Sequence, residues 1–115
     1  MKVLLCIPFF FFILSTSFAQ EKSTESIAIQ TNIYCDHCLE CPDCGVNIYK
    51  AVRKNSGIKK VDVLPEENII NVTYRSDKTN PDEIRQSIAD IGFDADDVKA
   101  SPTAYENLDA CCKKQ

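Results

Sequence analysis

The sequence predicts an α+β fold of order βαββαβ, on three observations. Apolar and polar residues alternate in separate runs, two segments between them carry apolar residues at helical spacing, and glycine or proline marks most junctions. The first run is Ile27, Ile29, Thr31 and Ile33, in which residues two apart share one face of a strand. The period then changes. Cys44, Ile48, Ala51, Val52 and Asn55 fall on one side of a helix, and Gly57 is its C-terminal stop.

Ile58, Val61 and Val63 predict a second strand, Pro65-Glu66-Glu67-Asn68 a turn, and Ile70, Val72 and Tyr74 a third strand with alternate residues inward. Asn80 reads as an N-cap, with Pro81 at the first helical position and Glu83 placed to reach back to the cap. Ile84, Ile88 and Ile91 follow as the helix's core stripe, and Gly92 ends it. Phe93 to Val98 is an acidic fourth strand. Elements this short and in this order form a ferredoxin-like sandwich, an antiparallel four-stranded sheet with two helices on one face.

The N-terminus reads as a targeting segment. Met1-Lys2, an apolar run from Val3 to Leu14 and the small-x-small Ser17-Phe18-Ala19 describe a secretory signal over 1–19, cleaved before Gln20, which carries Cys6 away. The run is too short to span ~30 Å of hydrocarbon as a helix, so no stable membrane insertion is expected. The organisation is then a flexible lead-in over 20–26, a domain over 27–99 and a cysteine-containing tail over 100–115. Export places the protein in the periplasm of a Gram-negative source and outside the cell otherwise. Loss of Lys2 from 13 basic and 17 acidic residues leaves 12 against 17, a net charge of −5. That balance argues against nucleic acid as a partner.

Four cysteines at three-residue intervals, Cys35, Cys38, Cys41 and Cys44, carry the chemistry, and Cys111-Cys112 closes the tail. Thiolates on a loop before a helix meet its unpaired N–H groups and positive dipole end. They are soft ligands, suited to Cu(I), Zn(II), Cd(II) or Hg(II) rather than Mg(II) or Ca(II). Two such sulfurs leave the ion open to attack by an incoming thiolate, which suits transfer.

From Cys41 to Ala95 the chain resembles the heavy-metal-associated domain of copper chaperones, metal-transporting ATPase modules and periplasmic mercury-binding proteins. The matching residues are Cys41-Pro42-Asp43-Cys44, Ile48, Val52, Gly57-Ile58, Val61-Asp62-Val63, Val72-Thr73-Tyr74, Ile84, Ile88 and Gly92-Phe93. The resemblance implies Cys41 and Cys44 as the primary metal ligands, Cu(I) as the first choice of cargo with Hg(II) or Zn(II) as alternatives, and a membrane metal transporter or another metallochaperone as partner to a monomer. Leu39 stands where the family usually has methionine and is expected to be a buried anchor for the loop. Cys35, Cys38, Cys111 and Cys112 are additions to the family pattern and candidates for further ligands.

Other readings stay open beside that one. Cys35 and Cys38 either close a protective disulfide or join the metal site. His37 is either a nitrogen ligand or a solvated loop residue. Cys-x-x-Cys before a helix is also how thioredoxin-like redox proteins are built, and a structural disulfide in a binding module is a further alternative. The spacing fits neither a ferredoxin cluster nor a zinc ribbon. No Ser-His-Asp set, carboxylate pair or phosphate-binding glycine loop is present, so no enzyme activity is expected.

Overall fold

The computed structural model describes residues 23–115; the expected signal, 1–19, lies outside them. Its sheet has three strands, with β3 (Ile69–Arg75) between β1 (Thr24–Gln30) and β2 (Ile58–Leu64) and antiparallel to both. β1 begins earlier than the hydrophobic pattern indicates. Thr24 stands opposite Arg75 and Ser26 opposite Thr73, so part of the expected lead-in is polar strand, paired through its backbone. Along β3 every second residue is buried, Ile70, Val72 and Tyr74, while those between are half exposed.

Two helices cover the buried face. α1 (Gly45–Arg53) contributes Ile48 and Val52, and α2 (Pro81–Ala89) contributes Ile84 and Ile88, to one core cluster with Ile29, Val61 and the inward residues of β3. The punctuation acts as its chemistry requires. Gly57 and Gly92 take φ of 76° and 103°, which a side chain disfavours. Asn80 Oδ1 accepts the Glu83 N–H at 3.0 Å. The Glu83 carboxylate, however, accepts from the Thr79 hydroxyl at 2.9 Å instead of from the cap backbone.

The expected fourth strand does not form. Ala95 and Val98 make an isolated bridge, because Asp96 turns the chain at a φ of 52°. Asp96 still meets the free edge of β1: its N–H donates to the Gln30 carbonyl and its carboxylate accepts the Gln30 N–H, both at 2.8 Å. A side-chain oxygen thus replaces the backbone carbonyl that would have continued a ladder. Arg85 holds the other Asp96 oxygen at 2.8 Å, which fixes the segment against α2. Phe93 and Ala95 remain core residues although no strand carries them.

The chain then doubles back. Ser101 donates its N–H to the Ala89 carbonyl at 2.9 Å, and its hydroxyl caps α3 (Pro102–Glu106). A Cβ on Gly92 would lie 3.0 Å from the Ala104 carbonyl group, so the close approach of α3 depends on that glycine. A short 3-10 turn, Ala110–Cys112, follows, with Leu108 and Cys112 buried. Among the described residues, no helix is long and apolar enough to cross a membrane.

Candidate metal centre

Cys35 is aimed inward by the strand period. Beyond β1 the chain stays extended, and burial alternates through Ile29, Thr31, Ile33 and Cys35, with Gln30, Asn32 and Tyr34 outward. Asn68 holds this extension. Its carbonyl accepts the Thr31 N–H and its side-chain oxygen the Ile33 N–H, each at 2.9 Å. Asn68 can do both because it sits in the left-handed region, at a φ of 54°, where the turn after β2 ends.

The next nine residues coil into α1. Cys41 donates its N–H to the His37 carbonyl at 2.9 Å, and Gly45 donates to the Cys38 carbonyl at 2.8 Å. The first helical N–H is therefore taken by backbone and not by a thiolate. A Cβ on Gly45 would lie 2.5 Å from the Cys38 carbonyl oxygen. That approach allows Cys38 and Cys44, with Cα atoms 5.2 Å apart, to form a disulfide.

This pairing differs from both sequence expectations. Cys44 is not presented beside Cys41 as a second free thiol, and Cys38 bonds to Cys44 rather than to Cys35. Both bonded cysteines are almost completely buried, at 1% and 0% exposure. Leu39 is not a buried anchor: it is 62% exposed, and the neighbouring Cys38 side chain fills the interior instead. His37 is exposed and, among the described residues, belongs to no cluster of three or more metal-binding groups.

The free thiols converge elsewhere. Cys35 Sγ lies 3.9 Å from Cys111 Sγ, Cys41 Sγ lies 3.8 Å from Cys112 Sγ, and Cys111 and Cys112 are 3.9 Å apart. All four sulfurs lie within 4.8 Å of one another. The tail thus supplies two of the four, from the far end of the chain. Cys35, Cys41 and Cys112 are buried while Cys111 is exposed, leaving one corner open to solvent.

The electrostatics of the cluster favour protons or a cation. Burial pushes the Cys112 thiol well above the ordinary cysteine range, helped by its hydrogen bonds to Cys41 and Cys111. For Cys111 the contact with Cys112 lowers the pKa, but the hydrogen bond to Cys35, burial and the charges of Cys35 and Cys41 together raise it. Four sulfurs this close cannot all carry negative charge unless a metal ion compensates it. The spacing suits one. Sulfurs held ~2.3 Å from a tetrahedral ion stand ~3.8 Å apart.

An α+β domain with its free thiols gathered at the loop before its first helix is of a metal-binding class. The heavy-metal-associated domain matches residues 37–94, and the chain belongs to that family. Oxidised MerP from Ralstonia metallidurans CH34 is similar at 26% identity and a TM-score of 0.54, over 64% of this chain and 94% of that one. A protein of Bacillus anthracis str. Ames described as copper-ion-binding is similar at 25% identity and a TM-score of 0.55, over 64% and 97%. The CopZ metallochaperone shares the fold at 21% identity and a TM-score of 0.52, over 62% and 98%. No curated protein matches.

Proposed function

We propose that this is an exported carrier or scavenger that binds one soft metal ion, of the Cu(I), Hg(II) or Zn(II) kind, around Cys41 and passes it on by thiolate exchange. The observation that carries the reading is the convergence of reduced thiols at the family's metal loop, with Sγ atoms 3.8 to 3.9 Å apart between neighbours. Thiolates select soft ions, and ions held by sulfur move between sulfurs by substitution. The copper-ion binding in the description of the Bacillus anthracis relative points the same way.

A transporter or second metallochaperone is the partner this chemistry calls for. Beside the loop, the exposed side chains of Leu39, Val46 and Tyr49 line a groove floored by Val61 and Val63, an apolar surface on which such a partner can dock. Catalytic disulfide exchange is the weaker reading. It needs an accessible sulfur, and Cys38 and Cys44 are both buried. A competition titration with a chromogenic chelator tests the function. Cys41→Ser should lower Cu(I) and Hg(II) affinity by at least tenfold while the fold is kept, and an unchanged affinity would refute the assignment.

A further inference from the structure

We infer that the Cys111-Cys112 tail is a built part of the metal site, completing with Cys35 and Cys41 a four-sulfur shell for a tetrahedral ion of the Zn(II) or Cd(II) type. This deepens the proposed function and rests on it. The inference stands on three independent features. The first is the sulfur geometry: neighbouring Sγ atoms are 3.8 to 3.9 Å apart and all four lie within 4.8 Å. The ~3.8 Å edge of a tetrahedral zinc–thiolate shell matches the neighbour distances, whereas a linear two-sulfur site needs only two of these groups, ~4.6 Å apart.

The second is that the loop alone falls short of four ligands. The Cys38–Cys44 bond removes two of its four sulfurs, and the tail restores the number. The third is that the tail is seated by contacts that involve no sulfur. Leu108 is buried, Tyr105 packs on the core and accepts the Lys114 N–H at 2.9 Å, and Gly92 makes room for α3. The fold therefore brings Cys111 and Cys112 to the site before any ion arrives.

A four-sulfur shell is closed, so exchange needs an entry point, and Cys111 is the exposed corner. An incoming thiol gives up its proton as its sulfur bonds to the ion. The metal–sulfur bond to Cys111 breaks and that thiolate takes up a proton, so no electron is transferred and no oxidant is required.

Zinc is the probe for the test, loaded at one equivalent into the mature chain with the Cys38–Cys44 bond in place. X-ray absorption at the zinc edge should report four sulfurs at about 2.3 Å. In Cys111→Ser/Cys112→Ser the count should fall to two, with oxygen or nitrogen making up the remainder. In Cys38→Ser/Cys44→Ser it should stay at four. Alkylation and peptide mapping of the unmodified protein ask the same question should the latter variant not fold: zinc should protect Cys35, Cys41, Cys111 and Cys112, and Cys38 and Cys44 should react only after reduction. Two sulfurs in the unmodified protein, four in the tail variant, or protection of Cys38 and Cys44 by zinc would overturn the inference while leaving a soft-metal protein. Failure to bind Zn(II), Cu(I) or Hg(II) at all would overturn the proposed function as well.

Discussion

Replacing Leu108 with alanine separates the seating of the tail from its sulfurs. Leu108 is 8% exposed and lies in the core cluster that also holds Cys112. Truncating a buried leucine to alanine costs about 2 to 5 kcal/mol, and a residue at the end of the core belongs at the low end, about 2 kcal/mol. α3 and the turn after it follow the last paired segment of the domain, so this cost falls on docking of the tail and not on the sheet. At 1.4 kcal/mol per factor of ten, the open state of the tail gains roughly 30-fold in population. Metal loss through that state should speed up by the same factor. The assay is stopped-flow transfer of Zn(II) or Cd(II) to a chromogenic chelator in excess, with far-ultraviolet circular dichroism as the check on the fold. A release rate within twofold of the unmodified protein, with the fold intact, would show that the tail does not govern access to the ion.

Two further outcomes follow from the same geometry. Cys38→Ser/Cys44→Ser should lower the stability of the metal-free protein by about 2 kcal/mol in urea denaturation, the chain-entropy value for so short a loop, the cysteines being six positions apart; a change within experimental error would mean that the bond does not constrain the loop. The metal-free protein should also be labile in alkali. Cys112 and Tyr74 both have pKa values raised in the folded state, chiefly by burial, from their ordinary values of 9.0 and 10.0. A raised folded pKa stabilises below the unfolded value and loses that contribution as pH climbs toward the folded one. The melting temperature should therefore fall from about pH 9 upward, and less steeply with zinc bound; a flat profile to pH 11 would contradict the burial of these groups.

The regular elements were legible in the sequence because their signals are local. The alternation through Ile70, Val72 and Tyr74, the Asn80-Pro81 cap and the glycines at 57 and 92 each state a backbone requirement in one to seven residues. The fourth strand was misread for an equally physical reason. Phe93 and Ala95 are buried as strand residues would be, but the left-handed Asp96 replaces a ladder carbonyl with its own carboxylate, and no hydrophobic pattern distinguishes the two. The polar start of β1 was missed because its pairing is carried by the backbone.

The site was half legible. The even spacing of Cys35, Cys38, Cys41 and Cys44 announced thiol chemistry but not its partition, since every consecutive pair is separated by the same three positions. One signal was present: Gly45, which follows Cys44 directly and marks the close approach to the Cys38 backbone that lets the disulfide form. The convergence of Cys111 and Cys112 on Cys35 and Cys41 spans 76 and 71 positions, and it depends on the path of α3 over the end of α2. No periodicity encodes a contact at that range.

A thiol count on the purified chain prepared without residues 1–19, before and after one equivalent of metal, tests the account most directly. Under denaturing, non-reducing conditions the metal-free protein should show four reactive thiols, the number of free cysteines at positions 35, 41, 111 and 112. Under native conditions one equivalent of zinc or mercuric ion should remove nearly all of that reactivity, and a strong chelator should restore it. Six reactive thiols, or four that stay equally reactive with metal present, would contradict a single soft-metal centre built from these residues.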